Sequence, residues 1–513
     1  VSVAFLGDMN KDGFGDFAVC SRYASRGVCY VVFGTTSAQR SAVSFNYLPT
    51  HLGFNVLSLS TSTSFGRAVS GAGDMNGDGF ADMVIGDPNA GTAYVILGSA
   101  SLANIDMASF VTGTAGFRIA TADAAMVQLG ANVSRAGDVN GDGYSDIIIG
   151  SSSPVSTTLS VRACVVFGGK ILTDVLLGTV NGVVSPFRGF KIFGSGLSVS
   201  VSGAGDFNGD GFQDVIVGVP GAVVPPYNYA YGIVYVIFGH NASIAFPGIN
   251  LPTFTSSSAL GMRITGDQTA YSTGSSVAAA GDVNGDGLDD VLIGSPSPMY
   301  GDWRIMVVFG TQVVADIPFS SLWAMSRGYS VSSYGATNTI GNVMTRAGDL
   351  NGDGVEDLIF GASQVTSYSG GLLRSGAVFV VYGRVKAPTS VPTTAPSRLL
   401  APTLTVFNKI TLPGTGPAFT GALASSYLGS AVSVGDVNGD GVKDVLMAAA
   451  QYQSSTGKVY IVYNSLTAAM NVTNLDAMAP SKGFSVLGVS AGSQCGSSLS
   501  FLGDVNGDNV GDI

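Results

Sequence analysis

An aspartate-rich loop that recurs along the chain constrains its fold more than any other feature. The second copy reads GDMNGDGFAD from Gly73 to Asp82, and successive copies begin 64 to 87 residues apart. Every copy has Asp, Asn, Asp and Asp at positions 1, 3, 5 and 9, counted from the first Asp. A repeat of this length overrides the expectation that 513 residues form several unrelated domains, and it predicts one large repeat architecture.

The spacing of the oxygen-bearing side chains is typical of a calcium loop. Calcium takes about six to eight oxygen ligands, so clustered carboxylates become favourable around it. We predict about one calcium ion per repeat, held by the side chains at positions 1, 3, 5 and 9 and the backbone carbonyl at position 7. The alternative is a set of solvated Asx turns without metal. The predicted ligands are Asp8, Asn10, Asp12, Phe14 and Asp16; Asp74, Asn76, Asp78, Phe80 and Asp82; Asp138, Asn140, Asp142, Tyr144 and Asp146; Asp206, Asn208, Asp210, Phe212 and Asp214; Asp282, Asn284, Asp286, Leu288 and Asp290; Asp349, Asn351, Asp353, Val355 and Asp357; Asp436, Asn438, Asp440, Val442 and Asp444; and Asp504, Asn506, Asp508, Val510 and Asp512.

The residues around the ligands indicate that the loop joins strands. Position 6 is Gly in seven copies and Asn509 in the eighth, and both residue types tolerate a left-handed backbone. An EF-hand would need Glu at position 12 and helices on both sides, whereas position 12 is Val19 in the first copy and Ile85 in the second. A β-branched run such as DIIIG follows the loop.

Four strands can be read in each repeat. An inner strand such as GRAVSGAGD precedes the loop, and a second strand such as MVIG follows it. A third strand resembles AYVILG from Ala93, and a fourth resembles GFRIA from Gly116. Gly-rich turns and the lack of helical periodicity predict an all-β fold, a β-propeller of four-stranded antiparallel blades.

These units resemble FG-GAP repeats, as found in the propeller of integrin α subunits. Phe65 and Gly66 open one inner strand, a Gly-Ala-Gly sequence at 71–73 ends it, and the calcium loop follows directly. The resemblance implies a propeller that usually has seven blades, with calcium in a subset of them. It also implies that partners bind on the face opposite the calcium loops. FG-GAP propellers occur in adhesion receptors, lectin-like proteins and accessory modules of enzymes, so the resemblance specifies fold better than function.

The number of blades is not fixed by the sequence. The sequence contains seven complete sets of second, third and fourth strands but eight inner strands. We favour a seven-bladed propeller over residues 1–498, with a Pro/Thr-rich insertion at 384–403 and a truncated eighth repeat at 499–513. A further propeller would then begin near Leu499; an eight-bladed ring is the alternative. Because the chain starts at Val1 and stops at Ile513 within the eighth loop, we expect it to be a piece of a longer protein.

Composition excludes several classes of function. Charged residues are 11% of the chain, and 24 of its 34 acidic residues lie in the loops, so eight bound calcium ions would change the net charge from −11 to +5. Nothing resembles a nucleic-acid surface, and no apolar stretch is long enough for a membrane helix. The two histidines, His51 and His240, have no catalytic motif around them. We therefore expect no enzymatic activity.

The sequons and the calcium loops suggest an extracellular location, and one pair of cysteines is placed where a disulfide can form. Cys20 and Cys29 flank a short link between predicted strands, where a cross-strand disulfide and two buried thiols are both compatible with the sequence. Of three sequons, we expect glycosylation at Asn241 and Asn471, but not at Asn132, which lies in an inner strand. Loops of modest affinity would also need the millimolar calcium found outside cells.

Aromatic residues in the links of repeats four to six suggest a binding face. These links lie on the side opposite the calcium loops, and Tyr and Trp are favoured in protein and glycan contacts. The alternative is that the rings pack within their own loops. The candidate residues are Tyr227, Tyr229, Tyr231, Tyr271, Tyr300, Trp303 and Tyr368.

Three functions remain open on the sequence. The leading hypothesis is a calcium-stabilised extracellular propeller that mediates adhesion or assembly by binding a protein or glycan, including copies of itself. The second is a repeating structural subunit of an extracellular filament or coat, suggested by the low charge and a mean hydropathy of +0.38. The third is an accessory propeller of a polysaccharide-processing enzyme.

Overall fold

A computed structural model describes most of the chain. The described residues exclude 1, 22–25, 35–47, 60–63, 122–127, 153–159, 178–187, 195–198, 225–229, 245, 267–271, 297–301, 323, 335–339, 341–342, 364–375, 384–408, 412–417, 421–425, 465–474, 506–507 and 509. The Pro/Thr-rich segment 384–403 and the sequon at Asn471 therefore lie outside the described residues.

Strands account for nearly all the regular structure. In the first three repeats they are β1 Ser2–Gly7, β2 Asp16–Ser21, β3 Val28–Val32 and β4 Gly53–Leu57; β5 Val69–Gly73, β6 Asp82–Asp87, β7 Thr92–Ile96, β8 Ile105–Asp106 and β9 Gly116–Thr121; and β10 Leu129–Gly137, β11 Asp146–Ser151, β12 Ser160–Val166, β13 Val175–Leu177 and β14 Gly189–Gly194. In the next two they are β15 Ser200–Gly205, β16 Asp214–Val219, β17 Ile233–Ile237, β18 Ile249–Asn250 and β19 Gly261–Thr265; and β20 Ser276–Gly281, β21 Asp290–Ser295, β22 Asp302–Val308, β23 Ile317–Pro318 and β24 Gly328–Tyr334. In the last two they are β25 Val343–Gly348, β26 Asp357–Ala362, β27 Ala377–Val381, β28 Lys409–Thr411 and β29 Ala418–Thr420; and β30 Leu428–Gly435, β31 Asp444–Ala449, β32 Lys458–Val462 and β33 Gly483–Leu487.

Helical structure in the described residues is limited to single turns. The 3₁₀ turns are Pro88–Ala90, Met107–Ser109, Leu251–Thr253, Phe319–Ser321, Leu475–Ala477 and Pro480–Lys482, and a helical turn covers Tyr452–Ser455.

Seven sheets form the blades of a β-propeller, which confirms the predicted fold. In each blade the first strand pairs with the second, the second with the third and the third with the fourth, all antiparallel; β1, β2, β3 and β4 form the first blade in this order. Except in β2, where buried and half-buried residues alternate, the second strands, such as Asp82–Asp87, are buried along their whole length. This explains why they read as continuous apolar runs rather than as alternating patterns.

The first five blades also contain a fifth strand that the prediction of four-stranded antiparallel blades did not include. Strands β8, β13, β18, β23 and β28 each lie between the third and fourth strands of one repeat and pair in parallel with the fourth strand of the preceding blade. Val56 of β4 lies opposite Ile105 of β8, for example. Strands of two or three residues have too little alternation to be recognised from sequence.

The hydrophobic core lies between neighbouring blades. Met83 and Ile85 of β6 pack against the first blade, whereas Val84 packs against the third. The same alternation builds the interfaces between the remaining consecutive blades up to the seventh. Because every blade is packed on its neighbours, the loops between first and second strands are held in a fixed series.

Residues 499–513 pack against the seventh blade. The Phe501 N–H donates to Ser433 Oγ at 2.8 Å, and the Gly511 N–H donates to the Asp436 carbonyl at 2.7 Å. Gly503 and Asp512 form an antiparallel bridge, as the ends of the first and second strands do in complete repeats.

The structure joins Cys20 and Cys29 in a disulfide between directly opposed residues of β2 and β3. Cys164 is a free, buried thiol and Cys495 is a free, half-buried one. Asn241 is exposed, whereas Asn132 lies in β10 and its side-chain amide donates to the Val199 carbonyl at 3.0 Å.

Candidate metal sites

Each candidate loop joins the first strand of a repeat to the second. In the second repeat β5 ends at Gly73 and β6 begins at Asp82, so positions 1 to 8 lie between the strands and position 9 opens β6. Gly79 at position 6 has φ +84°, and the position 6 glycines of the first seven loops all have φ between +83° and +94°. Since this conformation favours glycine, the predicted role of position 6 is confirmed there.

Carboxylates at positions 1 and 5 bind backbone amides of their own loop. Asp74 Oδ1 accepts from the N–H of Asp78 at 3.2 Å, and its Oδ2 accepts from the N–H of Gly79 at 2.8 Å. Asp78 Oδ1 accepts from the N–H of Phe80 at 2.9 Å. The bond from the position 5 N–H to the position 1 carboxylate recurs in all eight loops. These contacts fold the loop around its acidic side chains.

The aspartate at position 9 is buried and ties three segments together. Asp82 is fully buried, its Oδ2 accepts from the N–H of Met75 at 2.7 Å, and its Oδ1 accepts from the N–H of Gly98 at 2.8 Å. The bond from the position 2 N–H measures 2.7 to 3.0 Å in all eight loops. This carboxylate therefore joins the loop to the residue that follows the third strand.

Burial makes ionisation of position 9 unfavourable. It raises the pKa of Asp82 to about 7 and that of Asp146 to about 8. The backbone hydrogen bonds lower both values in part, but the nearby carboxylates at positions 5 and 1 raise them further. The three acidic groups of a loop are thus close enough to repel one another.

The donor chemistry of the loops fits a hard divalent cation. Three carboxylates, an Asn and a backbone carbonyl supply only oxygen ligands with a charge of −3, as calcium prefers. Among the described residues, no three or more His, Cys, Asp or Glu side chains are arranged to hold a metal ion. The carboxylate oxygens are instead turned onto backbone amides, as in Asx turns; Asp74 Oδ1 accepts from two of them, the N–H groups of Gly77 and Asp78. Positions 1, 3, 5, 7 and 9 remain the predicted ligands.

Consecutive loops are linked by hydrogen bonds that the sequence analysis missed. In six of the seven successive pairs of loops, the N–H at position 8 donates to the position 1 carbonyl of the preceding loop, as Ala81 does to Asp8 at 2.9 Å. The glycine after the third strand permits this approach, because a Cβ at Gly98 would lie 2.3 Å from the Ala81 carbonyl oxygen and 2.7 Å from that of Met9. The recurring glycine in third-strand motifs such as VVFG and VILG was the available signal.

The predicted aromatic binding sector is largely untested by the structure. Tyr227, Tyr229, Tyr271, Tyr300 and Tyr368 lie outside the described residues. Two placements are corrected. Tyr231 is 3% exposed, so its ring does not belong to an open binding face. Trp303 lies in β22 opposite Ser333 rather than in the preceding link, because β22 begins at Asp302.

The segments that match a known protein family coincide with repeats of the structure. The FG-GAP repeat family matches residues 65–96, 130–157, 198–237, 273–302 and 428–462. Each match spans the first strand, the loop and the second strand of one repeat. The chain is an FG-GAP repeat protein.

Two kinds of relative share the repeats of this FG-GAP protein. Integrin alpha-PS5 of Drosophila melanogaster is 30% identical over 197 residues, and Integrin alpha-5 of Xenopus laevis is 31% identical over 205 residues. Each alignment covers 38% of this chain, and 17% and 16% of the respective relatives. A phosphatidylinositol-glycan-specific phospholipase D of Dictyostelium discoideum is 27% identical over 194 residues, which cover 36% of this chain and 20% of the relative. This chain therefore matches a fifth or less of the length of each of these proteins.

We find no helix among the described residues of the FG-GAP protein that is long and apolar enough to cross a membrane.

Proposed function

We propose that this FG-GAP protein is a non-enzymatic, calcium-stabilised extracellular propeller that mediates adhesion or assembly by binding a protein or a glycan. The proposal rests on one combination of features. The chain has FG-GAP repeats and integrin α relatives, and the loop in every repeat offers only oxygen ligands. The resemblance to integrin-type propellers supports partner binding, and the loop chemistry supports calcium.

Calcium would serve the fold rather than a reaction. With the ion bound, the repulsion among the carboxylates at positions 1, 5 and 9 is removed. Asp82 holds the loop against the third strand through Met75 and Gly98, so a loop fixed around its ligands also fixes the start of β6. The hydrogen bonds between consecutive loops extend this effect around the ring.

Three features support an extracellular location. The Cys20–Cys29 disulfide belongs to an oxidising compartment. The sequon at Asn241 is exposed after β17, where a glycan can be accommodated. Calcium loops of modest affinity are filled at extracellular calcium concentrations.

We place partner binding on the links opposite the calcium loops in repeats four to six. The double variant Tyr227→Ala/Tyr229→Ala should weaken binding by about 2 kcal/mol or more if these rings are hot spots. We would measure binding of the purified chain to an array of extracellular glycans and matrix proteins. The matched control, Thr393→Ala/Thr394→Ala in the Pro/Thr-rich segment, should bind normally. Equal binding by both variants, with unchanged melting temperatures, would contradict this placement.

The phospholipase D relatives favour a second candidate, an accessory propeller of an enzyme. An accessory propeller would bind a substrate without converting it. We would incubate the purified chain with a glycosylphosphatidylinositol-anchored protein in calcium. Binding without release of the anchor would favour the accessory role, whereas release by the chain itself would contradict the non-enzymatic proposal.

A further inference from the structure

The seventh blade exposes an apolar face that the first four blades bury. Phe484 and Val486 of β33 lie in register with Ile461 and Val459, on the face that turns toward the next position in the ring. They are 41% and 43% exposed. The equivalent residues of the second blade, Phe117 and Ile119, are fully buried against the third blade.

The first blade has a complementary open face. Phe17 and Val19 of β2 occupy the positions of Met83 and Ile85 in β6, which are fully buried against the preceding blade. In β2 both side chains remain half-exposed. The two open faces border the same gap, between the seventh blade and the first.

Residues 499–513 stand in that gap at the spacing of one repeat. The Gly511 N–H donates to the Asp436 carbonyl at 2.7 Å, the bond that links consecutive loops elsewhere in the ring. On the other side, a Cβ at Gly34 would lie 2.8 Å from the Val505 carbonyl oxygen, as one at Gly98 would lie 2.7 Å from that of Met9. The gap is therefore one blade position wide, and only its inner part is filled.

The second strand of an eighth blade is already begun. The Asp512 N–H donates to the Gly503 carbonyl at 2.7 Å, and the Leu502 N–H donates to the Asp512 carbonyl at 2.9 Å. Gly73 and Asp82 are paired in the same register where β5 meets β6. A strand continuing from Asp512 would run outward between the two open faces.

We propose that the gap between the seventh and first blades is the docking position for the three outer strands of an eighth blade, continuous with Asp512. The occupant is an antiparallel sheet with the alternation of β6, β7 and β9, because the gap continues the interface that those strands make with their neighbours. A short strand between its third and fourth strands would pair in parallel with β33, whose outer edge has no such partner among the described strands.

The proposal can be tested by extending the chain with its own second repeat. Ile513 is equivalent to Met83, so residues 84–121 are fused after Ile513 to supply a second, third, short parallel and fourth strand. Amide exchange of β33 should slow by about tenfold or more, since its edge and its apolar face become covered. The melting temperature should rise in parallel.

A matched control keeps the same extension but replaces the apolar side chains with which it would pack on the seventh blade. Ile85, Tyr94 and Ile96 face the preceding blade in the second repeat, so the fused copies are changed to Asn. This extension should leave β33 unprotected. Equal protection by both extensions, or by neither, would overturn the proposal. So would a concentration-dependent dimer of the unextended chain that protects β33, because a second copy would then be the occupant.

Discussion

At the scale of residues, two aspartates of one loop occupy opposite environments. Asp78 at position 5 is exposed, and its carboxylate binds only groups of its own loop. Asp82 at position 9 is fully buried, and its carboxylate binds the N–H of Met75 in the loop and the N–H of Gly98 after the third strand. The first is suited to holding a cation, and the second also holds the fold. Substituting them separates the two contributions.

We expect Asp78→Ala to reduce the free energy of unfolding by about 1 to 3 kcal/mol in saturating calcium, because a charged ligand is lost. In excess chelator the loss should shrink to about 0.5 to 1 kcal/mol, since only the hydrogen bonds to the Phe80 amide and Asn76 disappear. Denaturant unfolding under both conditions measures the difference. Equal losses with and without calcium would argue against a ligand at position 5.

Asp82→Ala should cost about 2 to 5 kcal/mol whether or not calcium is present, because the buried N–H groups of Met75 and Gly98 lose their acceptor. The same unfolding experiment serves both variants. A loss confined to the calcium-loaded protein would mean that the backbone contacts of Asp82 contribute little on their own.

The residues of the loop were predictable, but their division of roles was not. Oxygen side chains at fixed spacing and Gly79 at the sharp bend are local features, so the sequence identifies them directly. The burial of Asp82 depends on Gly98, which follows a different strand. A pattern within one loop contains no information about such a partner.

At the scale of elements, short parallel strands connect each repeat to the preceding blade. In the third repeat Asp174 precedes β13 and accepts from the Arg118 backbone N–H at 2.8 Å and from its Nε at 2.9 Å. Partial burial would raise the pKa of Asp174, but hydrogen bonds from Arg118 and Thr112 hold it below its usual value. Arg263 of β19 pairs with Asp316 before β23 in the same way, whereas Arg26, which precedes β3, pairs with Asp106 at the end of β8.

We expect Asp174→Asn to reduce the free energy of unfolding by less than about 1 kcal/mol at pH 7, since the pair is partly exposed. A carboxylate with a lowered pKa stabilises the fold above its unfolded pKa of 3.8, and this stabilisation is lost as the pH falls through the lower folded value. The two proteins should therefore converge in strongly acidic buffer. A difference between the two proteins that persists in acid would contradict this account.

At the scale of the whole molecule, the repeat predicted the propeller because each strand pattern recurs with its loop, but it left seven blades and eight blades open. It did not place residues 499–513 beside the first blade, since their approach to Gly34 brings together repeats from opposite ends of the sequence. Nor did it place Tyr231, whose burial depends on packing around β17 rather than on local composition.

The central claim is that divalent cations in the loops contribute to the stability of the ring. Ligands that bind only the native state raise its melting temperature by mass action. The direct measurement is thermal unfolding of the purified chain in millimolar calcium and after chelation, with bound metal counted by elemental analysis. We predict about one calcium ion per intact loop and a melting temperature that falls on chelation and recovers when calcium is restored. An unchanged melting curve, with complete removal of metal confirmed, would contradict the claim.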